Sequence, residues 1–427
     1  MWTKSILSLL SSVLFYAALS VSAQKQSAPD QPQLPDGPGK ETVQAVCNRC
    51  HTLDRIIATG FNRDGWQLMV NQMISNGAPL RPDQIPEVVD YLARNFPEKP
   101  MPDAVIIPGS VDAAIKEWAV PTPGSRPHDP MYAPDGSVWY TGNASNLLGR
   151  FDPKTGEFKE YHLKTLRSGP HGLVADRDGN IWFTANQAAY VGKLDPKTGN
   201  ITEYKMPDPD ARDPHTPIFD HNGTLWFTLQ GADMIGRLIP NTGAVHLAKV
   251  PTPKAQPYGM VVDSKGTVYF DEFGTNKIGR IDPVTMEIRE YVLPDAAARP
   301  RRIAISSDDV IWYSDYASGH LGRLDPTTGR STEWLSPGGP QSRPYGMTIV
   351  DDIVWYSESG TRPNTVVRFD PVAEKFQTWA IPSGGGVVRN MVHTPDGDLW
   401  LACSGVNRIA EVQISVPTKS HGKPEGF

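Results

Sequence analysis

The sequence predicts an all-β seven-bladed β-propeller preceded by a small all-α domain, and three observations carry that reading. An aromatic residue opens equivalent strands at Trp139, Trp182, Trp226, Tyr269, Trp312, Trp355 and Trp400, with successive gaps of 43, 44, 43, 43, 43 and 45 residues. A period of that length, holding four short strands divided by Asp/Gly turns, is one propeller blade. Upstream, Arg63–Ile74 and Ile85–Phe96 have helical spacing of their apolar residues instead. A Pro-rich stretch over residues 98–114 separates the two patterns.

The N-terminus comes first. Lys4 supplies a short positive region, Ile6–Leu19 an apolar core interrupted by serines, and Val21-Ser22-Ala23 the small residues of a cleavage site. These features predict a secretory signal peptide over residues 1–23, export to a periplasm, and no membrane span after cleavage. An uncleaved N-terminal anchor is the alternative. The formal charge of −6 becomes −7 once the single Lys4 charge is removed. With no basic stripe in the sequence, nucleic acid is not an expected partner. The 38 Gly and 40 Pro fit a β-rich chain full of turns. Residues 24–39 are Pro- and Gln-rich without an apolar period and read as a linker.

The helical segment, residues 40–97, opens with a short helix over Glu41–Val46 that runs into Cys47-Asn48-Arg49-Cys50-His51. Two thiols three positions apart can each form a thioether to one porphyrin, and the adjoining histidine can ligate the iron. A plain CxxC disulfide does not need His51. A zinc site needs four ligands, and the one other cysteine is Cys403. Three helices around such a motif resemble a small class I-type cytochrome c domain, which implies one covalent haem c. Met73 is the expected sixth ligand, lying on the helix after the motif and before Asn76-Gly77-Ala78-Pro79; Met69 competes one turn earlier and Met101 in the linker is more remote. The alternative is that both helical methionines fill the core.

The propeller, residues 115–416, has complementary ends. Its last unit stops at Val406–Ile414 without an outer strand, while an orphan copy of that strand, Ile115–Pro121, precedes the first unit. The N-terminal strand is therefore expected to complete the last blade and leave no unpaired inner edge. Residues 417–427 read as a tail. Pro170-His171-Gly172, Asp178–Thr184 (DGNIWFT) and Lys277–Ile281 (KIGRI) resemble the streptogramin B (virginiamycin B) lyase family of seven-bladed propellers. That resemblance implies a channel histidine and a glutamate on the adjoining strand, acting as acid and base with a divalent cation in ring-opening elimination. Seven blades without vicinal cysteines argue against a pyrroloquinoline quinone dehydrogenase.

Candidate channel residues come from the start of each innermost strand: His128, His171, His215, Tyr258, Arg301, Tyr345 and Arg389. On the adjoining strand stand Gly142, Ala185, Leu229, Glu272, Asp315, Glu358 and Cys403. This predicts a pocket with imidazoles on one side and carboxylates on the other. No unit pairs His with Glu, which departs from the lyase pattern. The histidines could serve as acid and base, gather a divalent cation in the channel, or hydrogen-bond water and backbone.

The combined expectation is a periplasmic mono-haem c-type cytochrome fused to a propeller: an electron-transfer protein or oxidoreductase subunit. It would act on a small organic substrate or dock a redox partner protein. The alternatives are a streptogramin lyase-like C–O lyase using the channel His and carboxylate residues, and a non-catalytic binding or sensing propeller.

Overall fold

The computed structural model describes residues 34–49, 53–57, 60–75 and 78–415. The signal segment, most of the first linker, Cys50, His51 and the tail lie outside the described residues. None of the described helices is long and apolar enough to cross a membrane.

The N-terminal unit holds α1 (Lys40–Cys47), α2 (Asp54–Ile57), α3 (Arg63–Ser75) and α4 (Ile85–Asn95). Burying one stripe of α4 (Val88, Val89, Tyr91, Leu92) against Val43, Ile56, Trp66 and Val70 builds a small core. The Trp66 indole N–H closes it by donating to the Phe96 carbonyl at 2.8 Å. Packing starts before the expected boundary at Lys40. Leu34 is buried in the same core, and the Tyr91 hydroxyl donates to the Pro35 carbonyl at 2.5 Å. One leucine among prolines and glutamines creates no period, so only tertiary contact reveals its anchoring.

Seven four-stranded antiparallel sheets follow, one per blade. Six use consecutive strands. In the seventh, Val388–His393, Leu399–Cys403 and Arg408–Ser415 are completed by the N-terminal strand Asp112–Ala119, paired from Asp112 with Ser415 to Ala119 with Arg408. The strand begins three residues before Ile115, because Asp112-Ala113-Ala114 lacks the β-branched signal yet still pairs. Trp118 then stacks on Trp400 at 5.4 Å, matching Trp139 on Tyr161 and Trp182 on Tyr204 inside other blades. The closing strand thus uses the same packing rule as a covalently continuous one.

The blade tryptophans are at most 3% exposed, and truncating one to Ala should cost about 3–5 kcal/mol. Three carry a polar tie: the indoles of Trp182 and Trp226 donate to Asp176 and Asp220 of the preceding turn at 2.8 and 2.9 Å, and that of Trp139 to the Ser137 hydroxyl at 3.0 Å. The glycine of the Val-Gly-Lys stretch has a steric cause. A Cβ on Gly192 would lie 2.1 Å from the Phe183 ring facing it across the ladder.

The Pro-rich linker is docked rather than free. Thr378 of the sixth blade exchanges bonds with Ile107 (2.7 and 3.0 Å) and donates its hydroxyl to the Val105 carbonyl at 2.6 Å. Arg362 adds an ion pair with Glu98 and a backbone bond to Pro102.

Candidate active site at the channel mouth

Each innermost strand opens on a residue that pairs with the end of the second strand: Pro127 with Gly142, Pro257 with Glu272, Val388 with Cys403. The register slips immediately afterwards in all seven blades. Such a bulge takes the next residue out of the ladder and re-aims its side chain. The seven bulged residues meet as a ring. His128 and His171 have ring centroids 3.7 Å apart, His171 and His215 3.4 Å, and His215 and Tyr258 3.9 Å. The Tyr258 and Tyr345 hydroxyls share a hydrogen bond of 2.5 Å. Between those tyrosines, the Arg301 guanidinium lies 4.0 Å from the Tyr345 centroid and 4.3 Å from that of Tyr316. Aromatic faces hold this cation. Arg389, its Nε donating to Ser404 at 3.0 Å, completes the ring.

A second layer of side chains spans the channel beneath. Asp129 accepts from Arg302 at 2.7 Å, from Asn390 at 3.2 Å and from His128 Nδ1 at 2.8 Å. Arg302 also reaches the Thr216 hydroxyl at 3.3 Å. Blades one, three, five and seven are therefore joined through one buried ion pair, each side chain 4% exposed. Because Asp129 takes His128 Nδ1, that ring turns Nε2 to the cavity, the arrangement that orients a general base.

Six further residues bind neighbouring blades or shape the rim. The hydroxyls of Thr141, Thr184 and Thr228 donate to the carbonyls of His171, His215 and Tyr258 in the next blade. Asn143, Asn186 and Gln230 follow the second strand of the three histidine blades and line the rim.

The cavity holds about 220 Å³. Arg126, Arg301 and Arg389 line it with the three histidines and Tyr258, and no carboxylate is among its described lining residues. Burial drives His128, His171 and His215 well below the ordinary imidazole range, and the nearby guanidiniums push the same way. All three are therefore neutral imidazoles at neutral pH. Burial, joined by Arg389, pulls the Arg126 guanidinium down to about 10. Burial raises Tyr258, with Tyr345 adding to it, so that phenol keeps its proton. Burial would also raise Tyr345, but Arg301, Arg389 and Arg302 outweigh it and the net direction is down.

The expected carboxylate side of the pocket is absent among the described residues, which corrects the reading of Glu272, Asp315 and Glu358. Each pairs across the ladder with an opening proline and faces a turn instead. Glu272 accepts from the Thr275 hydroxyl at 2.7 Å, and burial raises it to about 7. Asp315 caps its turn, accepting from the Arg299 N–H and the Ser318 hydroxyl. Glu358 accepts from Ser336, the Gly338 N–H and Thr365, each at 2.6 Å. Matching the adjoining strand to the ring residues by sequence position ignores the bulge, which puts the two strands out of phase there. His128, His171, His215, Tyr258, Arg301 and Arg389 do line one cavity, and Tyr345 packs behind Arg301. Sequence reasoning missed Asp129, Arg302 and Arg126. The Asn143, Asn186 and Gln230 series was readable, since each follows its candidate histidine by fifteen residues.

A divalent cation does not fit here, although one ligand atom each from His128, Asp129 and His171 lies within 4.8 Å of the others. Both Asp129 oxygens are already engaged by Arg302 and Asn390, and four guanidiniums make the surroundings cationic. In the helical unit, Cys47 ends α1 and packs partly buried against the core, as does Met69. Met73 is half-buried on α3 outside that cluster.

The comparisons agree with this architecture. The virginiamycin B lyase family profile matches residues 105–348. A streptogramin B lyase structure is 28% identical, with TM-score 0.65, over 71% of this chain and 98% of that one. The virginiamycin B lyase of Staphylococcus aureus is 26% identical over 71% and 99%, TM-score 0.65. A catalytically inactive variant of that enzyme, with quinupristin, is 25% identical over the same shares, TM-score 0.64. No curated protein matches the chain. With more than half its length covered by that profile and a seven-bladed ring of the same architecture, the chain belongs to the virginiamycin B lyase family.

Proposed function

We propose that the propeller is a C–O lyase that works by proton abstraction and elimination, with the channel-mouth cavity as its active site. The observation that carries this reading is the His128–Asp129 dyad, 2.8 Å long, at a cavity lined by guanidiniums. His128 Nε2 removes the proton next to a carbonyl. Those electrons form a C=C bond and expel the β-oxygen substituent. Arg301 and Arg389 stabilise negative charge that develops on the carbonyl oxygen and the departing oxygen. Asp129 positions His128 and stabilises its imidazolium. Tyr258 supplies a proton where the leaving oxygen needs one. His171 and His215, stacked beside it, exclude water and hold the ring.

The test is turnover of β-acyloxy carbonyl compounds, a streptogramin B among them, by the full-length protein. An elimination yields a conjugated alkene, read by ultraviolet absorbance and mass. His128→Gln should lower kcat by about a hundredfold or more. Water-addition products, or undiminished turnover in His128→Gln, would refute the reading.

A second reading concerns the N-terminal unit, and the Cys47–His51 motif favours it. We propose that Cys47 and Cys50 would hold one covalent haem c, that His51 and Met73 would ligate its iron, and that the chain is exported to a periplasm. Cys47 ends α1, and it packs partly buried against the same small apolar core as Leu53, Ile57 and Leu80, which supports a porphyrin bound against that core. Met69 packs with the core, which leaves Met73 the better placed sulfur. Bound there, the haem supplies one-electron transfer to a partner. Material made with haem-attachment machinery should show a dithionite-sharpened α-band and gain the mass of one haem. Colourless protein at apoprotein mass would rule it out.

A further inference from the structure

We infer that the channel-mouth cavity selects a small organic carboxylate, and that Arg301 and Arg389 supply the positive charge a divalent cation would otherwise provide. The inference deepens the lyase reading and rests on it for the reaction, though not for the binding.

Three guanidiniums line a cavity with no carboxylate among its described lining residues. Cations gathered at a low-dielectric wall repel one another, and an arrangement of that kind persists where an anion can enter. Arg301 is held by the faces of Tyr345, Tyr316, Phe273 and Tyr258 at 4.0–5.3 Å, so its charge is softened while its N–H donors stay uncommitted to an acid. Its Nε is buried and lacks a partner, as are His171 Nδ1 and Asn186 Oδ1. Of the acids beneath the ring, Asp129 is already paired with Arg302, and Asp271, which accepts from the Gly259 N–H at 3.0 Å, is pushed by burial well above the usual carboxylate range. A planar guanidinium fork matches a carboxylate through two parallel N–H···O bonds. At about 30 Å³ per water, 220 Å³ equals roughly seven waters, which suits a small acid or one acidic arm of a larger molecule.

The chemistry follows from the charge. A carboxylate raises the pKa of its own α-proton, and neutralising it with guanidinium removes that obstacle to His128. The substrate class is a carboxylate with a β-oxygen substituent. The Cα–H proton passes to His128, the C=C bond forms, the Cβ–O bond breaks, and the oxygen leaves with the electron pair. The products are an α,β-unsaturated carboxylate and the released oxygen compound.

The experiment titrates the full-length protein calorimetrically with 3-acetoxypropanoate, malonate, succinate and inorganic phosphate, and with the neutral methyl ester and amide of the first. Expected is binding of at least one organic carboxylate with Kd below about 1 mM, at least about tenfold tighter than its amide. That affinity should fall as ionic strength rises from low to high. Arg389→Gln should weaken it by about ten- to a hundredfold, and salt dependence of the wild-type protein keeps the test valid if that variant fails to fold. Tight carboxylate binding without alkene formation would uphold the anion site and count against the lyase reading. Alkene formation from the ester or amide with no carboxylate preference would overturn the anion site and leave the lyase reading standing. Binding of phosphate alone, or of none of the acids at about 10 mM, would also overturn it.

Discussion

Asp129→Asn is the perturbation that probes the channel most directly. Asp129 and Arg302 form an ion pair at 2.7 Å with both side chains 4% exposed, and Asn390 and His128 depend on the same carboxylate. Removing one charge leaves Arg302 buried without its counter-ion, which costs about 3–5 kcal/mol. For a domain of this size that corresponds to a melting temperature lowered by roughly 6–10 °C, at about 2 °C per kcal/mol. Urea unfolding followed by tryptophan fluorescence measures the loss, since every blade buries an aromatic residue at the equivalent position. Arg302→Leu in the same background removes the stranded cation. The double variant should therefore lose less than the sum of the single losses, by about 2 kcal/mol. Asp129→Asn should also depress kcat more than KM, because an amide no longer fixes the His128 tautomer. A single-variant cost under about 1 kcal/mol, or strictly additive losses, would refute the claim that this pair ties the blades together.

Other outcomes follow from the same geometry. The three channel histidines have folded pKa values below that of the unfolded chain, so the unfolded state binds more protons. Stability is then complete above about pH 6.5 and is lost as pH falls below it, by up to about 4 kcal/mol per pH unit if all three titrate; denaturant midpoints between about pH 5 and 7.5 check this, and His171→Gln should flatten the slope. Glu272→Gln should leave kcat unchanged, because Glu272 faces the Thr275 turn, and a large loss of kcat would return it to the pocket. Cys403 is fully buried with its thiol pushed up by burial, so native protein should not react there with a thiol reagent; denatured protein should yield one titratable thiol with haem attached and three without. Thr378→Val removes two hydrogen bonds to the linker strap, and limited proteolysis should then cut within residues 98–111 faster than in the wild type.

Much of the architecture was legible because repetition makes it so. An aromatic residue near the head of each second strand, spaced by 43 to 45, fixes strand number and blade count together. The closing strand could be read from a missing outer strand at one end and a spare one at the other. Helices α3 and α4 were legible from apolar spacing and α1 as a short helix running into the Cys47 motif, whereas the anchoring by Leu34 was not, since one residue has no period.

The site divides differently. The chain itself determined which seven side chains head the inner strands, because their position repeats with the blade. Which of their neighbours share the cavity was settled only in three dimensions. A one-residue bulge in each inner strand turns the ring residues into the channel, while Glu272, Asp315 and Glu358 stay in the regular ladder facing their turns, and no count along the chain registers that change of phase. Asp129 and Arg302 lie 173 residues apart, yet closing the ring sets them 2.7 Å from one another. Circular closure is a long-range constraint, and it converts a list of polar residues into a cationic cavity above a buried ion pair.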